Sequence, residues 1–284
     1  MSLVAPKVDP DVLYDMIDIA GSQSWVKGCL KEFAELWNLC EIRDEQVFLR
    51  EIIKRFVVLE GMLEAQAYAN VAEKFGSLGL NPKSTWFVAA ANSKEIDGST
   101  AALQKLKNKI TPYEIWHSRM LPNIPAASKL VKNGDTVVLF DDFIGTGGKL
   151  VTKGDWLLRN LADESVSDVG LIYFSVAGMG FGVENIRRDT GRMAFSGISL
   201  SKGISDFSEA EKVEEYKALM RRIESRLCDN YRNKKIEEYS LGFGESEALY
   251  FVLNDNCPNN VFPVFWWSLL KDGSRFNTLL QRAG

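Results

Sequence analysis

Thr136-Val137-Val138-Leu139-Phe140-Asp141-Asp142-Phe143-Ile144-Gly145-Thr146-Gly147-Gly148-Lys149 is the stretch on which the reading of the chain turns. Val137 to Phe140 are uninterrupted apolar residues, the mark of a strand covered on both faces. Two acids stand at its carboxyl end. Three glycines and a threonine follow within four positions, and Leu150 to Leu161 then has helical spacing. In an open parallel sheet, ligands collect beyond the carboxyl ends of the strands. Glycines let the backbone approach an anion and take positive φ. Their N–H groups, with the start of the following helix, cradle a phosphate. Thr146 adds a hydroxyl donor, and adjacent carboxylates accept hydrogen bonds from neighbouring sugar hydroxyls.

Two other glycine motifs fail against the same residues. A Walker A loop ending at Gly148-Lys149 needs glycine at position 143 and Ser or Thr at 150, where Phe143 and Leu150 stand. A dinucleotide fingerprint starting at Gly145-Thr146-Gly147 needs glycine at 150 and carries no acid pair ahead of its glycines. The run resembles the 5-phosphoribosyl diphosphate (PRPP) motif of type I phosphoribosyltransferases. That resemblance implies that Asp141 and Asp142 hold the ribose 2- and 3-hydroxyls, with Mg²⁺ held by them directly or indirectly. It also implies that the loop Phe143, Ile144, Gly145, Thr146, Gly147, Gly148 and Lys149 takes the 5-phosphate. The sequence departs from the motif at Gly145, where Thr is common, and at Lys149, where Ser or Thr is common. One hydroxyl is lost and one positive charge is gained.

Working outward, Trp86 to Ala91 reads as an earlier buried strand, and Thr100 to Lys109 as a helix. Between them Asn92 to Ser99 stands where the resemblance places a diphosphate loop, with Ser93, Lys94, Gly98 and Ser99 as its candidate ligands. Residues 111–130, with Pro112, Pro122 and Pro125, read as irregular and stand where a closing loop is expected, with Arg119 or His117 to reach the diphosphate. Val169 to Val176 and Met193 to Leu200 read as further strands, and Gly178-x-Gly180-x-Gly182 as a tight turn. Ser208-x-x-Glu211 reads as a capping box for a long helix striped by Val213, Tyr216, Met220, Ile223 and Leu227. Apolar runs alternating with helices predict an α/β fold, a mainly parallel sheet flanked by helices.

Ala248 to Leu253 reads as a last strand, and Asn254-Asp255-Asn256-Cys257-Pro258-Asn259-Asn260-Val261-Phe262-Pro263-Val264-Phe265-Trp266-Trp267 follows. Asn254, Asn256, Asn259 and Asn260 follow a strand and so are expected at the same sheet edge as the acids. There, amides would read an acceptor base and Trp266 would stack on it. A turn followed by a buried aromatic plug explains the same residues. With the Asp-Asp-Phe-Ile-Gly-Thr-Gly run, this tail is similar to the PRTase-CE family, phosphoribosyltransferase-like domains of bacterial conflict and defence loci. The resemblance covers roughly residues 80–270. It implies phosphoribosyl transfer from PRPP with Mg²⁺, or a catalytically reduced PRPP- or nucleotide-binding regulatory or defence module.

Residues 1–80 read as helical, with Trp25, Cys29, Phe33 and Leu36 on one stripe and Phe48, Ile52, Phe56, Leu59 and Leu63 on another. This gives a helical region, 1–80, suited to a protein partner or a second copy, and a phosphoribosyltransferase-like domain, 81–284. The net charge of −4 gives no basic excess to advertise nucleic acid or membrane, and the resemblance implies a small phosphorylated sugar or nucleotide as partner. Four scattered cysteines and one histidine argue against zinc. Met1 to Lys7 has no signal pattern, and Val261 to Leu270 is about half the length that spans a bilayer. A cytoplasmic protein is therefore expected.

Overall fold

The computed structural model describes residues 9–94 and 97–283. Met1 to Lys7, read above for a signal, and Glu95 and Ile96 of the 92–99 loop lie outside the described residues. The described residues form two compact units, one running from residue 60 to 201 and the other combining those up to Leu59 with those from Lys202. These divisions differ from the 80/81 boundary read in the sequence.

The 60–201 unit is built on β1 (Thr85–Ala89), β2 (Met120–Leu121), β3 (Thr136–Ile144), β4 (Gly170–Met179) and β5 (Ala194–Leu200). All pair in parallel in the order β2-β1-β3-β4-β5, with Val88 opposite Leu139 and Leu139 opposite Tyr173. Its helices are α1 (Gly61–Ser77), α2 (Gly98–Leu106), α3 (Ile124–Ser128), α4 (Gly148–Asp163) and α5 (Gly180–Thr190). Alternation along β3 decides which helices it meets. Val137 and Leu139 share a core with Leu150 and Leu157 of α4, Ile124 of α3 and Ile186 of α5. On β1, Phe87 stacks 4.5 Å from Phe75 of α1. Helices thus cover both faces, and the α/β architecture with a parallel sheet is as expected. The strand order reverses between β1 and β3, and this is where ligands bind in open parallel sheets.

Two readings within this unit change. Residues 111–130 are ordered, forming a short helix at Tyr113–Trp116, the edge strand β2 and α3. Trp116 is buried and packs 4.7 Å from Phe75, which ties the segment to the core. Gly178-x-Gly180-x-Gly182 is no turn. It is the end of β4 running directly into α5.

The second unit has helices Pro10–Ser22, Leu30–Leu39, Arg43–Ile53 and Ala210–Glu224, with an aromatic core that includes Phe33 stacked 4.1 Å from Trp37. The first 80 residues are not all helical. Val57–Leu59 is a strand, and it pairs in parallel with Tyr250–Val252 in a separate two-stranded sheet. The Val-Val pair favours extended backbone. The last strand therefore does not join the five-stranded sheet, and the asparagines after it are not at that sheet's edge. The capping box is also unrealised, because Glu209 holds the cap position of Ala210–Glu224 and makes no side-chain capping bond.

Between the helices Arg43–Ile53 and Ala210–Glu224 lies a buried ion cluster. Glu45, fully buried, accepts from Arg226 at 2.8 and 2.9 Å and from Arg222 at 2.5 Å. Burial alone would raise the Glu45 carboxyl, but the two guanidiniums and the Glu41 N–H hold it below its usual range. Among the described residues no helix is long and apolar enough to cross a membrane.

Candidate functional site

β3 carries Asp141 and Asp142 on its last turn of backbone before the glycines, so both acids belong to the strand itself. Asp141 is 1% exposed and Asp142 half-buried. The loop after β1 brings a third acid, Asp97, to the same place. Carboxylate oxygens of Asp97, Asp141 and Asp142 lie within 4.8 Å of one another, the one such group of potential metal ligands among the described residues. Asp97 is held by its role as cap of α2, accepting the Ser99 N–H at 2.8 Å. Gly98 follows, and a Cβ there would lie 2.3 Å from Asp142 Oδ2, so a larger residue would displace that carboxylate.

Among the described residues, Lys149 is the cation paired with these acids. The Lys149 Nζ lies 3.3 Å from Asp141 Oδ2, 3.4 Å from Asp141 Oδ1 and 3.4 Å from Asp97 Oδ2. Asp141 Oδ1 also accepts the Asp142 N–H at 3.1 Å. Asp141 Oδ2 is buried and receives no well-directed hydrogen bond despite the nearby ammonium.

The electrostatics follow from burial and crowding. Burial, and then the Asp142 charge, push Asp141 well above the usual carboxylate range, with Lys149 opposing. Burial would raise Asp97 too, but Lys149, and then Ser99 through its hydroxyl and its N–H, hold it below that range. Burial would lower Lys149, but Asp141, Asp97 and Asp142 raise it above an ordinary lysine, so it stays charged. Tyr68 of α1 is raised by burial, then by Glu64 and Asp142.

The glycine loop is shaped from the other side by α5. Gly147 caps α4 in the left-handed region at φ +89° and offers no side-chain cap. The first N–H groups of α4 have no intrahelical acceptor by the geometry of a helix start. A Cβ on Gly182 would lie 1.9 Å from the Gly145 carbonyl oxygen, and one on Gly147 would lie 2.6 Å from that of Gly182. Asn185 of α5 donates to the Thr146 carbonyl at 3.1 Å. The loop is therefore pressed between two glycine contacts, leaving the α4 N–H groups as its anion-facing donors.

The expected ligands of the diphosphate loop separate into two groups. Gly98 and Ser99 sit at the acids. Ser93 and Lys94 line a cavity of about 480 Å³ with Asn92, Pro125, Thr152, Lys153, Trp156 and Arg159. Arg119 stacks on Trp86, its guanidinium carbon 4.5 Å from the ring centre, and His117 lines a small cavity with Tyr113 and Glu114.

The asparagine-rich tail belongs to the second unit, and most of it has local work there. Asn254 takes φ +61° after its strand, a conformation asparagine tolerates. Asn256 Oδ1 accepts the Ala283 N–H at 2.7 Å. Asn260 is buried and donates to Ser246 Oγ at 2.9 Å and to the Phe243 carbonyl at 3.2 Å. The Asn259 carbonyl accepts the Phe243 N–H at 2.9 Å. Trp266 is buried, donates to the Val261 carbonyl at 2.9 Å and is covered by Arg282. Asn254 and Asn256 do line a cavity of about 850 Å³, with Trp25 and Phe251.

Sequence reasoning missed Asp97. The signal was an acid directly before Gly98-Ser99-Thr100 at a helix start, a cap pattern that also delivers a carboxylate to the carboxyl edge of β1. A search of curated proteins finds no match. The PRTase-CE family model matches residues 36–282, and with a phosphoribosyltransferase-like motif on a parallel sheet over that span, the chain belongs to the PRTase-CE family.

Proposed function

We propose that the β1/β3 crevice binds PRPP or a related ribose 5-phosphate and transfers its phosphoribosyl group to an acceptor nitrogen. The observation that carries this reading is the gathering of Asp97, Asp141 and Asp142 beside the uncapped start of α4, where the strand order reverses. The α4 N–H groups and Thr146 take the 5-phosphate. Asp142, the accessible acid of the strand, accepts from a ribose hydroxyl, and Asp141 lies beneath it. As the bond from the ribose carbon to the diphosphate breaks, the sugar becomes cation-like, and fixed carboxylates nearby stabilise it without reorganising. The donor set is all oxygen, which suits Mg²⁺. Asp97, Asp141 and Asp142 would hold the ion, which when bound draws charge from the departing diphosphate.

The test is titration calorimetry of PRPP with Mg²⁺, on the native protein and on Asp141→Asn combined with Asp142→Asn. Native binding and no measurable heat from the variant, with unchanged circular dichroism, are expected. Equal affinity for both proteins overturns the assignment.

A second reading, a PRPP- or nucleotide-binding regulatory or defence module, is favoured by the Lys149 ammonium among the acids and by the ordered 111–130 segment. Labelled PRPP with mixed bases and nucleotides separates the two. Diphosphate release supports transfer, and saturable binding without release supports the module. In either case the helices of the first 59 residues are the proposed surface for a protein partner.

A further inference from the structure

We infer that Lys149 is the resident cation of the Asp97–Asp141–Asp142 cluster, filling the place a divalent ion would take. On this view the unliganded protein has no metal site there, and a divalent ion enters only on a diphosphate-bearing ligand. The inference rests on the reading of this crevice as a phosphoribosyl site and adds a role for one of its residues.

The position of Lys149 is the first argument. It is the second residue of α4, where the partial positive charge of the helix start disfavours a cation. Its side chain turns instead to the strand and loop acids, 3.3 Å from Asp141 and 3.4 Å from Asp97. An ammonium that ought to greet the phosphate therefore neutralises carboxylates. Lys149 is thereby withdrawn from the list of phosphate ligands in the unliganded protein.

Its partner is the second. Asp141 is 1% exposed, and its Oδ2 has no hydrogen bond. A buried carboxylate without a counter-charge is strongly destabilised. A facing positive charge relieves both that burial and the repulsion from Asp142, and among the described residues Lys149 is the basic group in ion-pair contact with it. Three carboxylates within 4.8 Å make a hard-cation donor set, yet an ammonium at 3.3–3.4 Å from two of them repels a divalent ion entering the same space. A ligand carrying its own anionic oxygens changes that balance. Its phosphate offers Lys149 a new partner at the α4 start, and release of the ammonium uncovers Asp141 for the sugar or the ion. Lys149 is thus a positioning residue that makes exposure of Asp141 depend on an arriving phosphate.

The test uses Mn²⁺ alone as probe, followed by the loss of its free-ion signal in electron paramagnetic resonance, with no phosphate compound present. The native protein and Lys149→Arg are expected to leave the signal unchanged. Lys149→Met and Lys149→Thr are expected to bind at least about tenfold tighter than native, since a unit charge a few ångströms away is removed. Their melting temperatures rise with Mn²⁺, as binding to the folded state alone requires. Saturable Mn²⁺ uptake by the native protein overturns the inference whatever the variants do, and so does equal uptake by the native protein and the two neutral variants. Failure of PRPP to bind in calorimetry, with the Mn²⁺ results as expected, sinks the proposed function and leaves the lysine assignment standing.

Discussion

Glu224 shows how a single carboxyl can set the pH response of this protein. It is 3% exposed and accepts from Ser240 Oγ at 2.6 Å and from the Leu241 N–H at 3.1 Å. Burial outweighs both bonds and pushes it from 4.5 up to about 7. A carboxyl raised on folding favours the folded state while protonated. Its contribution is whole below pH 4.5 and is lost as pH rises towards 7. Glu224→Gln cannot ionise, and its one amide oxygen can accept from both Ser240 and Leu241, which already share Oε2 of the native carboxylate. Urea melts should therefore find it more stable than native at pH 8, by about 3 kcal/mol at most, with a flatter profile between pH 5 and 7. At this scale the site was largely legible. Asp141 and Asp142 stood out because two acids ending a buried strand serve packing poorly. Lys149 was read as a loop residue and is the second residue of α4, and its side-chain direction depends on Asp97, more than 50 residues away, which no local pattern joins to it.

The decisive contact between elements is that of α5 with the glycine loop. A methyl group on Gly182 would sit 1.9 Å from the Gly145 carbonyl oxygen, and the obstacle is backbone, so the helix or the loop must move. Gly182→Ala is expected to destabilise the fold by about 1–3 kcal/mol, the usual range for overpacking, and to weaken inorganic phosphate binding at the α4 start. Urea denaturation and phosphate calorimetry check the two effects, and a variant with native values in both would show that the loop yields without consequence. The same pair explains what could be read of the elements. β1, β3, β4 and β5 announced themselves as apolar runs because both their faces are covered. The start of α5 did not, since Gly178, Gly180 and Gly182 are chosen for close approach, and helix propensity argues against them. Val57–Leu59 was hidden for a related reason. Three residues fit a helical stripe as well as a strand, and only the distant Tyr250–Val252 makes them extended.

Across the whole molecule, the Glu45 cluster joins residues 177 and 181 positions apart in sequence. Glu45→Ala removes charged hydrogen bonds from a buried acceptor but leaves Arg226 paired with Glu41 and Arg222 half exposed, so it should lower stability by about 1.5–3 kcal/mol. Glu45 is depressed on folding, so its contribution is present above pH 4.5 and is lost as acid carries the solution through its lower folded value. Native protein should therefore lose stability in acid more steeply than Glu45→Ala, and parallel acid denaturation curves would count against the cluster.

The division into units also bears on how the chain is made. The unit completed by residue 201 is continuous, whereas the helices before Leu59 belong with partners that begin at Lys202. During synthesis those early helices emerge first, and their strand Val57–Leu59 must wait for Tyr250 while the intervening chain is added, a delay on the order of ten seconds or more. For that interval Phe33, Trp37 and Phe56 have no finished core to enter, while the parallel sheet can already close. The nascent chain thus carries its acid-lined crevice to completion ahead of its own beginning, and its exposed early aromatic surface is the segment a ribosome-associated chaperone would meet.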